Sequence, residues 1–309
     1  MYSHAQIIEN YSDIVIAPLC GYTRRPFRRA LRDIGFKGLY FTEMMNPFEI
    51  LAKRIKKAVS IEKESPIGIQ LFGGYSKGKF RESVFLLKNR FRFDHLDLNM
   101  GCPAKQVTGS GGGARLLERM DEARFILEEI RSVWNGSLSV KTRIGWDLSE
   151  KDKTLEGLKT LIPFGLDFVT IHFRTVKEGF AGEPHFELYN EFKKELGVFT
   201  YLNGGILDRM KLIEVKDRYD PDGIMLARGI LENPFLWEGI TPGLDQKIEF
   251  ARKLICYYPL YPLECSMLEL RKHLAVLFKG EIYSHRLREQ IFKAQTKEEY
   301  LRVFDEYLK

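Results

Sequence analysis

Short apolar runs alternate with amphipathic stretches along most of this chain, and that alternation limits its fold more than any other feature. Strands are expected over residues 14–18, 39–43, 66–72, 95–99, 138–144, 168–173, 199–203 and 223–227, with helices over 24–34, 76–91, 121–133, 151–162 and 208–218. Eight strand–helix units in about 240 residues match the count and size of a (β/α)8 barrel. A doubly wound sheet gives the same periodicity, because the pattern does not encode closure. The fold expected is therefore α/β: a (β/α)8 TIM barrel over residues 1–243, followed by a small C-terminal α-helical domain over residues 244–309. In that tail the strand rhythm stops, glycine becomes rare, and helices are expected over 246–257, 266–278, 285–294 and 297–307. Thr296 with Glu299 has the spacing of a capping box.

The polar residues of the strands fall on one parity. His95, Asp97 and Asn99 oppose Leu96 and Leu98; Lys141 and Arg143 oppose Val140. Thr170, His172 and Arg174 oppose Val169 and Ile171, and Gln70 opposes Ile69 and Leu71. Strand side chains alternate faces, so the apolar set can pack on the helices while the polar set points into the barrel. Burying such groups unpartnered is costly. Eight polar strand ends gathered at the C-terminal mouth, where barrel enzymes place their sites, imply a bound polar ligand. A structural salt-bridge network is the competing account.

Composition narrows the class. Of 309 residues, 44% are hydrophobic and 29% charged, too apolar for a disordered chain and too charged for a membrane protein. Lys and Arg number 48 against 42 acidic residues, a surplus that favours an anionic partner without naming it. The tail from residue 245 holds 12 basic and 10 acidic residues, so no single segment carries the surplus. The four cysteines have no metal-ligand spacing; reduced thiols and no metal site are expected. The apolar stretch over 254–263 is broken by Pro259 and Pro262, and the first residues lack a basic run followed by an apolar core. A cytoplasmic protein with no membrane partner is expected.

Cys102 follows the fourth strand in Asn99-Met100-Gly101-Cys102-Pro103, a tight turn that exposes a thiol able to act as nucleophile or proton donor. Cys256 and Cys265 read as small buried hydrophobes, and Cys20 as a packing or backbone contact. The run Gly109-Ser110-Gly111-Gly112-Gly113-Ala114 lacks dinucleotide-binding spacing. It is expected to be a mobile loop over the mouth, flanked by Lys105 and Arg115, unless it is only a flexible connection. Asn203-Gly204-Gly205 and Ala227-Arg228-Gly229 end the last two strands, where barrels commonly bind phosphate. With an inward Lys141 and Gln70, such a site suits a flavin mononucleotide. Lys141 could equally be a Schiff-base nucleophile, and its local sequence does not separate the two.

These stretches resemble the tRNA-dihydrouridine synthases, in particular the bacterial B-type. The resemblance rests on Ala17-Pro18-Leu19-Cys20-Gly21-Tyr22-Thr23, Phe41-Thr42-Glu43-Met44, Gln70-Leu71-Phe72-Gly73, Asn99-Met100-Gly101-Cys102-Pro103-Ala104-Lys105, Val140-Lys141-Thr142-Arg143, Ile171-His172-Phe173-Arg174-Thr175, Ala227-Arg228-Gly229 and Arg271-Lys272-His273. It implies an FMN-binding barrel and a helical domain that helps hold tRNA. NADPH would reduce the flavin, hydride would pass to C6 of a flipped-out loop uridine, and Cys102 would protonate C5. By the same resemblance Pro18, Leu19, Cys20, Gln70, Lys141, His172, Asn203, Gly204, Gly205, Ala227 and Arg228 would contact FMN. Asn99, Lys105, Arg143 and Arg174 would face the RNA, and a monomer is expected.

The chain departs from the family pattern at four places: Gly205 and Arg24 stand where Asp is usual, Glu178 replaces a Gln and Phe186 a Trp. Gly205 removes a polar support near the flavin, and Arg24 is expected to alter the network under the ring or to add a phosphate contact. Two other accounts therefore stay open: a tRNA-binding or folding helper that has lost turnover, and a small-molecule FMN oxidoreductase or Lys141 aldolase on the same barrel.

Overall fold

The computed structural model describes residues 2–52, 64–262, 265–281 and 284–307. Its eight parallel strands are β1 (Ile14–Ile16), β2 (Tyr40–Phe41), β3 (Ile67–Leu71), β4 (His95–Met100), β5 (Ser137–Arg143), β6 (Phe168–His172), β7 (Phe199–Asn203) and β8 (Gly223–Leu226). β8 pairs back onto β1 through Ile14↔Ile224, Val15↔Met225 and Ile16↔Leu226, so the sheet is a closed (β/α)8 barrel and not an open doubly wound one. The register sets Gln70 beside Asp97, Asn99 beside Lys141, and His172 beside both Arg143 and Asn203.

The outer layer comprises α2 (Arg25–Asp33), α3 (Pro47–Leu51), α4 (Lys79–Arg90), α5 (Lys105–Gly109), α6 (Met120–Arg131), α7 (Lys151–Lys159), α8 (Tyr189–Leu196), α9 (Arg209–Tyr219) and α10 (Gly229–Glu232), with α1 (His4–Tyr11) preceding β1. In α6, Ala123, Ile126, Leu127 and Ile130 recur at helical spacing and are buried, while Asp121 and Glu122 begin the helix and Arg131 ends it, complementing its dipole. Burial of each large side chain contributes roughly 2 kcal/mol. Helix α7 stops short of the expected residue 162 because Pro163 and a left-handed Gly165 follow. Helices α1, α3, α5, α8 and α10 have no counterpart among the helices expected from the sequence pattern.

The two strand faces separate as their parity requires. Leu96, Leu98, Val140, Val169 and Ile171 join the outer apolar cluster shared with the helices. Inside, Val15, Leu39, Phe41, Phe168, Phe199, Tyr201 and Met225 form a second cluster with Ile7 and Tyr11 of α1, which seals the barrel floor. Among the described residues, the polar side chains that the strands themselves turn inward come from β3–β7. The expectation of eight polar strand ends is corrected, because β1, β2 and β8 turn Val15, Phe41 and Met225 inward.

From Leu244 the chain is helical: α11 (Leu244–Tyr257), α12 (Met267–Leu277), α13 (Ser284–Lys293) and α14 (Lys297–Tyr307). Thr296 and Glu299 form the reciprocal cap of α14, each backbone N–H reaching the other's side chain at 3.3 Å. Phe250 of α11 meets Phe27 of α2 edge-on, with centroids 6.0 Å apart. Leu254, Leu270, Leu274 and Tyr300 belong to the same apolar cluster as the barrel helices, so tail and barrel are packed together. Among the described residues no helix is long and apolar enough to cross a membrane, and no group of His, Cys, Asp and Glu could hold a metal ion.

Candidate active site

A cavity of about 440 Å³ opens at the C-terminal ends of the strands. Its wall includes Pro18, Leu19, Cys20, Gln70, Asn99, Cys102, Lys141, Arg143, His172, Arg174, Asn203, Gly204, Gly205, Ala227 and Arg228. Those residues come from seven of the eight strand ends and are far apart in sequence. Lys105 is not among them; it lies exposed on α5, beyond the Cys102 turn.

One hydrogen-bonded chain organises the deep side. His95 bridges Ser137 Oγ at 2.7 Å and Ser139 Oγ at 2.6 Å. Ser139 donates to Asp97 at 2.5 Å, and Gln70 Nε2 donates to the other Asp97 oxygen at 2.7 Å. Gln70 Oε1 accepts from Asn99 Nδ2 at 2.8 Å, and Asn99 Oδ1 accepts the N–H groups of Gly101 at 3.1 Å and Cys102 at 3.0 Å. Both ends of the Gln70 amide are thereby assigned, and the thiol turn is pinned by a side chain of the strand that precedes it. Burial pushes the Asp97 carboxyl up to about 6 against the pull of Ser139 and Gln70. Burial, with nearby Arg131, keeps His95 neutral.

The opposite side is cationic. Lys141 Nζ donates to Asn203 Oδ1 at 2.9 Å. Arg143 donates to the carbonyls of Gly101 and Thr175, and Arg174 to that of Gly182 at 2.7 Å. Arg143 and Arg228 flank the ring of Phe180, at 5.6 and 4.6 Å from its centroid. Lys141, Arg143, Arg174 and Arg228 form no ion pair among the described residues. Burial, reinforced by Arg143, lowers the Lys141 ammonium to about 8. His172 is driven far below the ordinary imidazole range by burial and then by all four cations. Such a set favours an anion.

Glycine permits a close backbone approach here. A Cβ on Gly204, at φ +124°, would sit 2.7 Å from His172 Cδ2; one on Gly205, at φ +59°, would sit 2.7 Å from Pro184 Cγ and 3.3 Å from Arg174 Nη2. The Gly109–Ala114 run does not cover the mouth, which corrects the mobile-loop expectation. Gly74 N–H donates to Ser110 O, Ala114 N–H to Cys102 O at 3.0 Å, and a Cβ on Gly112 would strike Gly73 at 2.5 Å. The run is packed behind the thiol turn, and its glycines are there because backbone meets backbone.

Of the departures, only Gly205 lines the cavity. Glu178 accepts from Thr175 and from His185 Nε2 at 2.8 Å, folding the β6 loop, while Phe186 is buried against Phe173 and Tyr219. Arg24 pairs with Glu43 and Glu269; it makes no wall of the cavity, which removes the expected phosphate contact. Sequence reasoning missed Phe180, 58% exposed on the rim, and Met44, whose sulfur lies 3.7 Å from Asn99 Nδ2. Phe180 stands between Gly179 and Gly182 just past a polar strand end, a signal that could have found it.

The dihydrouridine synthase (Dus) family model matches residues 15–309. A probable tRNA-dihydrouridine synthase of Staphylococcus aureus is 30% identical over 310 residues, covering 95% of this chain and 92% of its own. tRNA-dihydrouridine synthase B of Pasteurella multocida is 29% identical over 297 residues, 92% and 88% respectively. Probable tRNA-dihydrouridine synthase 1 of Synechocystis is 28% identical over 309 residues, 96% and 86%. Among solved structures, the old yellow enzyme homologue from Zymomonas mobilis matches with a TM-score of 0.51 at 12% identity, over 75% of this chain and 90% of that one; this likeness is of fold.

Proposed function

The chain belongs to the dihydrouridine synthase family, and from that premise we propose that it is a tRNA-dihydrouridine synthase that reduces the C5–C6 double bond of particular uridines in tRNA. FMN is its resident cofactor in this reading and NADPH the reductant; residues 1–243 form the catalytic barrel and residues 244–309 help hold the RNA. The protein would work as a monomer in the cytoplasm. The fit of FMN rests on the cavity itself: four cations with no ion pair among the described residues, which suit a phosphate, and a fixed amide at Gln70, which suits a polar ring edge.

Bound there, FMN supplies the hydride that reaches C6. Asn203, Gly204, Gly205, Ala227 and Arg228 would hold its phosphate, with further backbone contacts from Pro18, Leu19 and Cys20. Gln70 reads the polar rim of the ring, and Lys141, charged at neutral pH, favours negative charge on it. His172, kept neutral, offers an N–H without adding a further positive charge. Cys102 delivers the proton to C5 from a turn that Asn99 keeps still, so hydride and proton together saturate the bond. A base inside folded RNA must leave its stack to enter a cavity of this depth. Arg143 and Arg174 guide its phosphates, with Lys105 and Asn99 beside its path.

The observation that carries this reading is the meeting of one thiol, one fixed amide pair and one cationic, glycine-bounded rim in a single cavity. Glu178 and Phe186 sit in structural contacts, which favours retained turnover over a helper without chemistry. The test is to purify the protein, look for bound FMN bleached by NADPH, and map dihydrouridine in tRNA from a strain lacking the gene. Restored dihydrouridine on complementation is the expected result. Colourless protein that FMN does not load, with tRNA unchanged, would overturn it.

A further inference from the structure

We infer that the helical tail holds in place the barrel loop that lines one side of the cavity: Glu269 of α12 acts through Arg24 and Glu43 as a positioning residue for loop 18–23. Strand β1 is only three residues long; it pairs with β8 along its length but meets β2 at the single register pair Ile16↔Tyr40, so on the β2 side the sheet gives the loop beyond it little support. The loop turns on itself, with Tyr22 and Thr23 N–H donating to Leu19 O, and Leu19 N–H to Thr23 Oγ1 at 3.0 Å. It needs an outside anchor to stay in register with the cavity wall.

Glu43, just past β2, accepts the Gly21 N–H. The same carboxylate pairs with Arg24 Nε at 3.3 Å, and Arg24 Nη1 reaches Glu269 at 2.5 Å. Glu269 is itself fixed at the start of α12, where its carboxylate accepts the Ser266 N–H at 2.9 Å. One turn later His273, buried, meets the Tyr22 ring edge-on at 5.1 Å and the Phe27 ring at 5.0 Å. Cys20 and Tyr22 both line the cavity, so two residues one turn apart on α12 grip a wall of the site from behind. A guanidinium between two partly shielded carboxylates holds a geometry that neither pair fixes alone. The usual Asp at position 24 could not span them, which gives this departure from the family pattern a use.

The inference concerns the loop; it rests on the FMN reading only in its second measurement. In the full-length, FMN-free protein, Glu269→Gln should speed amide exchange of the peptide spanning 17–25 about fivefold, the scale of a typical coupling between neighbouring groups. The same variant should weaken FMN binding, followed by flavin fluorescence, by a similar factor, and shift the visible spectrum of the bound flavin. Arg29→Ala is the control: it removes the contact of α2 with Tyr257 and Tyr261 of the tail, at 4.3 Å from one ring and 3.0 Å from the other hydroxyl, without touching the loop. Native-like loop exchange in Glu269→Gln, or equal acceleration in Arg29→Ala, would overturn the inference. If Glu269→Gln does not fold, Glu269→Asp keeps the charge but falls short of Arg24, and the same two comparisons decide. Failure of FMN to bind the native protein would sink the flavin reading and leave the exchange result to judge the clamp.

Discussion

Helix α2 and the mouth of the barrel are both rich in arginine, and they use it in opposite ways. On α2 and its N-cap, Arg28 pairs with Glu64 at 2.8 Å, Arg25 reaches the same carboxylate at 3.6 Å, and Arg24 lies between Glu43 and Glu269. Arg29 and Arg32 are the exceptions on α2: Arg29 meets Tyr257 and Tyr261, and Arg32 donates to the carbonyls of Phe36 and Pro66 and stacks on Tyr40. At the mouth, Arg143, Arg174 and Arg228 contact carbonyls, a histidine and an aromatic ring and form no ion pair among the described residues, Glu178 and Glu183 acting on Arg143 and Arg174 from a longer range. Carbonyls and rings orient a guanidinium without neutralising it; carboxylates do both. The arginines of α2 are therefore structural, whereas at the mouth burial, and then Lys141 with three scattered arginines, suppresses protonation of His172.

Four experiments can break or sharpen this contrast. If the mouth is where chemistry occurs, Cys102→Ala should keep FMN bound and slow tRNA reduction by about a thousandfold, within the range for a positioned general acid; unaltered turnover removes the thiol from the mechanism. On the other side, Arg28→Ala leaves the shielded Glu64 with the longer Arg25 contact and should lower unfolding free energy by about 3 kcal/mol, read by denaturant melts, with the salt dependence of tRNA binding unchanged. Arg174→Ala should do the reverse: near-native stability, tRNA affinity weaker by about tenfold, and a log–log salt slope smaller by about one. Equal salt slopes in the two variants would erase the distinction. The smallest effect concerns Lys141. Its folded value near 8 is depressed, so its charge is present below that pH and lost above it. FMN affinity should therefore fall several-fold between about pH 7 and pH 9, and Lys141→Gln should flatten that fall.

Much of this was legible before any coordinates. Strand β7 spans the expected 199–203, and the parity of Asn99, Lys141 and His172 placed them inward because pleating leaves no other choice. What the chain did not disclose is mostly about distant partners. Nothing local says that the arginines of α2 meet Glu64 and Glu269, or that the glycine run lies against Gly73 and Cys102, since those contacts depend on closure of the whole barrel. Helix α8 escaped because it is eight residues long, with Tyr189, Phe192 and Leu196 buried among lysines and glutamates, too short for its period to stand out. Asp97 shared the parity of Asn99, yet its role as the anchor of Gln70 required the β3–β4 register.

Asn99 has a consequence of a different order. One amide serves two masters: its oxygen fixes the thiol turn and its nitrogen fixes Gln70. Most substitutions at position 99 would disturb both at once; aspartate alone would keep the accepting oxygen for the turn while losing the donor to Gln70. Moving the thiol turn therefore means re-orienting the Gln70 amide as well, so the two sides of the cavity shift together.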